Sequence, residues 1–443
     1  MADRSPARPR AGKALIAGTL ASGLVMAGAL LVAGSHGMLG HVGTKLASAV
    51  GIRHAFASTQ RVVTSAEELR RALDTAPDGS TIALAAGHYP SIGIGNIKKA
   101  GTVTVTSADP DRPAVIGRLL VRNSAGLTFR NIELAADASA VVDRVGAPRK
   151  PVQDDQDGPE EDEAPAARKG GQSAANRFPF MILQSERITF DRMNIHGPAD
   201  NLDAAYRIPA LMVRASRKVT ISNSRFSALQ HGIAMLELDG MRVLNNEFHN
   251  IRTDGVRGGE VSNLEVAGNV FTDFHPAPKD HPDAIQLWST PKNGMMTNIH
   301  IHDNLVVRGT GYPTQGVFLR DVKNGRPFQN VVIEGNLVMG GLYNGIAING
   351  VQGGRITDNV VLNYPDRKHS WIRAQNCGDI DMRGNRASRY IFAPAVGTDS
   401  DNKMDAASPR DEAKRVNQWL DAKPGRRRAD SMLQARLTAP KTK

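Results

Sequence analysis

A short pattern built around asparagine recurs six times in the second half of the chain: an apolar residue, two variable residues, Asn, one variable residue and another apolar residue. The six segments are VLNNEF, VAGNVF, IHDNLV, IEGNLV, ITDNVV and MRGNRA, around Asn246, Asn269, Asn304, Asn336, Asn359 and Asn385. Successive asparagines are 23, 35, 32, 23 and 26 residues apart. Self-similarity with a period of this size is typical of chains that stack one structural unit on the next. The repeat therefore predicts a solenoid.

A second, strand-like pattern alternates with the first, in the segments HGIAML, DGVRGG, DAIQLW, QGVFLR, NGIAIN and SWIRAQ. Its aliphatic anchors are Ile233, Val256, Ile285, Val317, Ile346 and Ile372. The distance from anchor to asparagine is 13 residues in four rungs and 19 in the other two. Short β-branched strands between Gly and Asn turns favour a coil of parallel strands. Asparagine suits one stacked turn position because it tolerates left-handed backbone angles and its amide can both donate and accept. We expect all six asparagines to be structural.

The chain before this region predicts the start of the same solenoid. Ser65 and Glu68 form a capping-box pattern that opens an amphipathic helix, SAEELRRALDTA, expected to cover the first rung. Strand-like segments follow. This order, with DGSTI at 78–82, GHY at 87–89 and then Asn-marked rungs, resembles the right-handed parallel β-helix proteins of the pectate-lyase-like superfamily. The resemblance covers residues 60–397 and implies an all-β, right-handed parallel β-helix. It leaves the activity open, because that superfamily includes lyases, hydrolases, epimerases and adhesins.

The N-terminus contains a predicted export or membrane-anchoring segment. Residues 14–34 contain no charged side chain, and four basic residues precede them. The uncharged segment is long enough to cross a bilayer. The basic flank should stay cytoplasmic, so the rest of the chain is expected to be exported. It would be anchored in the inner membrane and face the periplasm, or be secreted if the segment is cleaved; both alternatives stay open. Residues 35–59 are predicted to be a linker.

Charge is concentrated at the two ends of the chain. The net charge is +11, of which residues 1–13 carry +3 and residues 401–443 carry +5. The basic run 426–428 has no aromatic residues between its arginines, so it does not indicate a nucleic-acid partner. The single cysteine, Cys377, excludes a disulfide framework. We expect a monomer.

Two further segments interrupt or end the repeat. Residues 136–177 are predicted to form a disordered insertion, because seven acids fall within residues 154–163 and aliphatic residues are scarce. Residues 398–443 are predicted to form a basic tail, with a short helix over 409–422 that could cap the C-terminal end of the solenoid.

Long loops indicate where a site could lie. TDFHPAPKDH precedes the strand anchored on Ile285, and the expanded segments STPKNGMM and VKNGRPF follow the strands of Ile285 and Val317. Loops on a solenoid gather on one region of its surface. Two neighbouring strands with long loops on both sides predict an open cleft, in which an extended polymer could lie.

Alternation along the strands then predicts which side chains face that cleft. The candidate catalytic residues are His281, Arg257 and Arg320; the candidate substrate-binding residues are Gln286, Trp288, Phe318 and Asp280; the candidate calcium ligands are Asp254 and Asp283. Asp254 and Asp283 belong to a column two residues before the anchors, where they could instead bond only to backbone amides. A second cluster, His300, His302 and Asp303, has a metal-like spacing without a third fixed ligand.

These residues suit two chemistries on an acidic polysaccharide. In the first, arginines or a calcium ion neutralise a uronate carboxylate and a base removes the C5 proton. Elimination then gives a lyase, and reprotonation from the opposite face gives an epimerase. The second is glycoside hydrolysis by two carboxylates. The lyase is our first hypothesis, and a glycan-binding protein of the cell envelope without catalysis remains a further alternative.

Overall fold

A computed structural model describes residues 61–136, 178–289, 296–321, 326–366, 369–392 and 397–423. Within these residues, strands stack in parallel into three faces, which we name the back, front and side sheets. The back sheet consists of β1 (Arg61–Val63), β2 (Thr81–Leu84), β5 (Lys98–Ser107), β8 (Ala125–Arg130), β11 (Glu186–Asp191), the second halves of β13 (Pro209–Ser222), β15 (His231–Leu244) and β17 (Val256–Ala267), and then β20 (Thr297–His302), β23 (Phe328–Glu334), β26 (Val351–Thr357), β29 (Gly378–Arg383) and β32 (Thr398–Ser400).

The front sheet consists of β4 (Ile92–Gly95), β7 (Leu119–Arg122), β10 (Phe180–Leu183), the first halves of β13, β15 and β17, and then β19 (Asp283–Ser289), β22 (Gln315–Asp321), β25 (Tyr343–Asn349), β28 (Ser370–Gln375) and β31 (Tyr390–Phe392). The side sheet consists of β3 (Gly87–Tyr89), β6 (Ala114–Ile116), β9 (Glu133–Ala135), β12 (Asn194–His196), β14 (Arg225–Leu229), β16 (Glu247–Ile251), β18 (Val270–Thr272), β21 (Leu305–Val307), β24 (Leu337–Met339), β27 (Val360–Leu362), β30 (Arg386–Ala387) and β33 (Lys403–Met404). The described helices are α1 (Ala66–Thr75), α2 (Leu202–Ala205) and α3 (Glu412–Asp421).

In each of the long strands β13, β15 and β17, a left-handed residue marks the turn from the front to the back sheet. Ala215, Glu237 and Glu260 have φ of 49°, 57° and 56°, and the strand pairing skips these positions. A left-handed residue bends an extended chain sharply. The bend separates the front sheet from the back sheet.

The predicted register of the anchors is confirmed. Ile233 pairs with Val256, Val256 with Ile285, Ile285 with Val317, and the series continues through Ile346 to Ile372. Every anchor is buried in the core. The side chains on either side of an anchor lie accordingly in columns that run along the solenoid.

The asparagines form a buried ladder, as the sequence predicts. The side-chain amide of Asn246 donates to Oδ1 of Asn269 at 3.0 Å, and Asn269 donates to Asn304 at 2.9 Å. The same bond repeats through Asn336, Asn359 and Asn385. The ladder ends on Asn402, which the six-residue pattern does not include.

One part of that prediction is wrong by one residue. The ladder asparagines do not adopt left-handed angles; the residues directly before them do, with φ from 53° to 69°. These residues are Asn245, Gly268, Asp303, Gly335, Asp358 and Gly384. The left-handed residue makes the turn, and the asparagine that follows points inward and satisfies the backbone groups of the neighbouring turn.

A column of small residues lies directly before the anchors, where the front and side sheets meet. At Gly255, an added Cβ would lie 2.5 Å from the ring of Phe271. Phe271 stacks on Phe248, and Phe248 on Phe226, with ring centroids 4.8 Å apart in each pair. The aromatic stack of the side sheet therefore fills the space that a side chain at Gly255 would need.

Helix α1 closes the N-terminal end of the core. The Ser65 hydroxyl accepts from the backbone N–H of Glu68 at 3.1 Å, as the capping-box pattern predicts. The Glu68 carboxylate, however, accepts from the N–H of Thr64 rather than from that of Ser65. Leu69 and Leu73 of α1 are buried against the first rung.

The C-terminal end departs from the expected arrangement. Parallel pairing continues past residue 397, through β32 and β33. Helix α3 does not cap the end of the solenoid; it lies along the outside of the side sheet. There Trp419 and Leu420 pack with Leu337 and Met339, and the indole N–H of Trp419 donates to the carbonyl of Gly335 at 2.9 Å.

Several sequence predictions fall outside the described residues: the N-terminal segment at 14–34, the linker at 35–59, and the acidic insertion apart from its first residue. Among the residues that are described, no helix has the length and apolar character needed to cross a membrane.

Candidate functional site

The candidate site lies on the front sheet, around the strands anchored on Val256, Ile285 and Val317. Strands β19 and β22 alternate between buried and partly exposed side chains, as predicted. Their outward positions match in register: Arg257 lies beside Gln286 and Gln286 beside Phe318, while Trp288 lies beside Arg320. The structure therefore places all five predicted outward residues of this face together.

A column of polar side chains, which we call the mixed column, runs along the edge of this face, two residues before the anchors. It consists of His231, Asp254, Asp283, Gln315 and Asn344. His231 is 9% exposed, Asp254 2%, Asp283 0% and Gln315 3%. Unlike the asparagine ladder, the mixed column changes chemistry at each rung. Two carboxylates and one imidazole are thereby buried at the base of an open face.

Arg257 is held between a carboxylate and an aromatic ring. Its guanidinium lies 2.7 Å from Oδ2 of Asp254 and 5.2 Å from the ring centroid of Trp288. The other oxygen of Asp254 accepts the backbone N–H of Asp283 at 3.1 Å. Burial raises the pKa of Asp254, and the nearby charge of Arg257 opposes that rise. Asp254 thus fixes the orientation of a cation on the outward side of the front sheet.

The long loop before β19 is pinned by its own ion pair. Both carboxylate oxygens of Asp280 contact the guanidinium of Arg252, at 2.7 and 3.2 Å, and one of them also accepts the N–H of Ala277. These contacts fix the conformation of the loop, and a role of Asp280 in substrate binding stays a prediction. His281 follows it, is exposed, and contributes to the electrostatic environment of Asp254.

His231 is a site residue that the predicted set omits, although it stands in the same column of the pattern. Its burial, and then the positive charge of Arg257, lower the pKa of His231 well below its usual value. Its ring lies 5.7 Å from that of Phe178, centroid to centroid. Among the described residues, no hydrogen-bond partner reaches its Nδ1. The imidazole of His231 extends the mixed column by one rung, on the N-terminal side of Asp254.

The sequence pattern also did not predict a group of aromatic side chains at the long loop before β19. The ring of His275 stacks on Tyr206, with centroids 6.1 Å apart, and meets Tyr312 edge-on at 6.2 Å. Tyr312 is 60% exposed. The three residues come from three separate loops that follow no common spacing, so no periodic signal could have brought them together.

Both oxygens of Asp254, a predicted calcium ligand, already have partners within the protein. Calcium requires six to eight oxygen ligands. One oxygen of Asp254 is taken by Arg257 and the other by the N–H of Asp283. Within the described ranges, no group of three or more His, Cys, Asp or Glu side chains is placed to hold a metal ion. Calcium at Asp254 and Asp283 stays a prediction from the sequence, and no step below depends on a metal.

The second predicted cluster lies on the back sheet, away from this face. The rings of His300 and His302 stack at 4.0 Å, so they do share one face of the strand. His300 contacts Glu334 at 2.8 Å, and His302 contacts Asp303 at 2.9 Å and Glu265 at 3.4 Å. Each imidazole has a carboxylate partner, which is the pattern of an ion-pair network.

Comparisons with known proteins give one family match and several distant structural similarities. A family model described as "Right handed beta helix region" matches residues 209–389. No curated protein sequence matches the chain significantly. Similar solved structures include an alginate lyase from Paenibacillus sp. str. FPU-7, with 11% identity over 79% of this chain and 99% of that chain and a TM-score of 0.40. They also include the surface adhesin PfbA of Streptococcus pneumoniae, with 10% identity over 79% and 92% of the two chains and a TM-score of 0.46.

Similarities this distant say nothing about activity. The parallel three-faced coil and the family match together establish the architecture that the sequence predicted. The described residues therefore adopt the fold of a right-handed parallel β-helix.

Proposed function

We propose that this protein is a carbohydrate-active enzyme that cleaves an acidic, uronate-containing polysaccharide by β-elimination on its front sheet. The observation that carries the proposal is the clamped Arg257, held at 2.7 Å by the buried Asp254 and at 5.2 Å by Trp288. A cation fixed in this way beside an aromatic ring suits a sugar that carries a carboxylate. The predicted export of the chain would bring it to such polymers.

Arg257 would bind the uronate carboxylate, and Arg320 lies two rungs further along the same face. Neutralising that carboxylate stabilises the negative charge that develops when the C5 proton leaves. Trp288 offers a ring for the apolar face of the sugar, between the two arginines. Gln286 and Phe318 complete the surface on which the chain would lie.

His281 is the proposed base, because it is exposed at the end of the loop and its charge acts on Asp254. It would take the proton from C5, and the electron pair released there would form the C4–C5 double bond. The bond from C4 to the linking oxygen breaks, and that oxygen takes a proton from His281 or from water. The products are one chain with an unsaturated uronate end and one with a new hydroxyl group.

Hydrolysis is the second candidate, and one observation favours it. Asp254 and Asp283 are carboxylates on adjacent rungs, which are about 4.8 Å apart in a parallel sheet. Burial raises the pKa of Asp254, as a general acid requires. The ion pair with Arg257 already occupies this carboxylate, however, which is why elimination remains the first proposal.

The test is the ultraviolet absorbance of the unsaturated end group, followed on alginate, polygalacturonate and hyaluronan, with calcium or with a chelator. A rise on one polymer, lost in Arg257→Gln and kept in Arg214→Gln, would establish a lyase. Arg214 is a matched control, because it is on the same sheet and pairs with Glu237 rather than with the site. New reducing ends without absorbance would point to hydrolysis, proton exchange at C5 alone to an epimerase, and binding alone to a glycan-binding protein.

A further inference from the structure

A second group of aromatic and cationic side chains lies at the far end of the front sheet. The rings of Tyr343 and Trp371 are 5.6 Å apart, and the guanidinium of Arg389 lies 5.8 Å from the ring centroid of Trp371. We call these three residues the distal cluster. Tyr343 is 38% exposed, Arg389 is exposed, and Trp371 is half-buried on the outward side of β28.

The distal cluster is joined to the mixed column by hydrogen bonds. The indole N–H of Trp371 donates to the side-chain carbonyl of Asn344 at 3.3 Å. The side-chain amide of Asn344 donates in turn to Gln315 at 2.5 Å. Trp371 is therefore held in one orientation, as a binding platform requires.

Arg389 has no evident structural task. Among the described residues, no carboxylate lies within ion-pair distance of it, whereas Arg214, Arg242 and Arg355 on the same solenoid each have a glutamate partner. An exposed cation beside two rings suits an anionic ligand that also has an apolar surface.

The distance along the solenoid defines what such a ligand must be. Four rungs separate Arg257 from the strand of Trp371, through the anchors Ile285, Val317 and Ile346. At about 4.8 Å per rung, the two positions are about 19 Å apart. A disaccharide held at Arg257 is too short to reach Trp371, whereas a chain of several sugar units reaches it.

We infer that Tyr343, Trp371 and Arg389 form a remote subsite, which binds a uronate unit of the same chain that is held at Arg257 and Trp288. The rings take the apolar face of the sugar and Arg389 takes its carboxylate. The subsite makes the protein selective for long chains over short ones. This inference rests on the proposed function for the nature of the ligand, but it concerns binding and needs no cleavage.

The experiment measures binding of dimers and hexamers of galacturonate and of mannuronate to the full chain by calorimetry. Three variants are compared with the wild type: Trp371→Ala, Tyr343→Ala and Arg389→Gln. We expect each to weaken hexamer binding about tenfold, the effect of one aromatic or cation–π contact. Dimer binding should be unchanged. Arg355→Gln, on the exposed back sheet, is the matched control and should bind both ligands as the wild type does.

Each outcome has a distinct meaning. If the wild type binds a hexamer and all three variants bind it equally well, the remote subsite is wrong and the proposed function stands. If the wild type binds neither hexamer, the acidic-polysaccharide proposal fails and this inference fails with it. The variants at Tyr343 and Arg389 keep the test decisive should Trp371→Ala not fold, because both side chains are exposed.

Discussion

Two columns of buried polar side chains run along this solenoid, and they satisfy their hydrogen-bonding groups in different ways. In the asparagine ladder, every member is the same residue, and each side chain donates to the next and accepts from the previous one. In the mixed column, an imidazole, two carboxylates and two amides follow one another, and Asp254 depends on Arg257 from the outer face. In a uniform column, the side chains satisfy one another's hydrogen-bonding groups, so the column can be purely structural. A column that changes at each rung requires partners from outside, which indicates a site.

The largest effect on stability is expected from Asn304→Asp, at the centre of the ladder. The change removes the amide that donates to Asn336 and to the carbonyl of Val266, and leaves oxygen facing oxygen in a site that is 1% exposed. Loss of two buried hydrogen bonds, with a carboxyl group in their place, should cost about 3 kcal/mol or more in the free energy of unfolding. Chemical denaturation measures it.

A matched control for this change exists on the surface. Asn263, Asn298 and Asn330 form a second, exposed asparagine ladder, with bonds of 2.8 Å between neighbours. Asn298→Asp should change the free energy of unfolding by less than about 0.5 kcal/mol, because water replaces the lost bond. Equal effects at Asn304 and Asn298 would show that burial of the ladder does not matter.

The opposite exchange, Asp254→Asn, tests the mixed column. It removes the charge that orients Arg257, so turnover should fall about 100-fold, the effect expected when a binding group is misplaced. Stability should change by less than about 1 kcal/mol, because a buried carboxylate that is costly to ionise disappears and Arg257 remains partly solvated. A large loss of stability with activity intact would make this column structural like the ladder.

A third substitution tests whether the packing of the core behind the mixed column keeps that column in position. A methyl group added by Gly255→Ala would lie 2.5 Å from Phe271 and 2.8 Å from the carbonyl of Ala284. Overpacking of this kind should destabilise the protein by about 2 kcal/mol. Gly93→Ala, on the same sheet with open space around it, is the control and should have almost no effect on thermal unfolding.

The smallest effect is expected on the back sheet, outside both columns. The hydrogen bond to Asp303 raises the pKa of His302 above its usual value. Its contribution to stability is therefore complete below the unfolded pKa of 6.5 and disappears as the pH rises through the folded value. His302→Gln should cost less than about 1 kcal/mol near pH 5.5 and still less near pH 8.5, measured by denaturation at both values. The same loss at both values would contradict the assigned ion pair.

The sequence predicted the register of the solenoid because register depends on periodicity. Alternation on each side of Ile285 places Gln286 and Trp288 outward, and constant anchor-to-asparagine distances align one rung with the next. This was enough to bring Arg257, Trp288 and Arg320 to one face. Periodicity could not show that Arg252 pairs with Asp280, because a loop has no repeating pattern from which its conformation could be predicted.

The position of α3 illustrates the same limit. Its amphipathic pattern predicted a helix but did not say which surface it would cover. A signal was nevertheless present: Leu305 and Leu337 of the side sheet are apolar at outward positions, where Arg225 and Glu247 of earlier rungs are charged. Two adjacent rungs with an apolar exterior require a covering element, and α3 supplies it.

The docking of α3 on the side sheet also governs how the molecule comes apart. A linear array of rungs can unzip from either end, one rung at a time, because each rung touches only its neighbours. Here Lys423 reaches back to Asp303, 120 residues earlier, and Trp419 bonds to Gly335. The final rungs cannot peel away until the helix has released rungs well inside the array. The C-terminal end is thereby closed into a loop, and fraying from that side becomes a cooperative event instead of a gradual one.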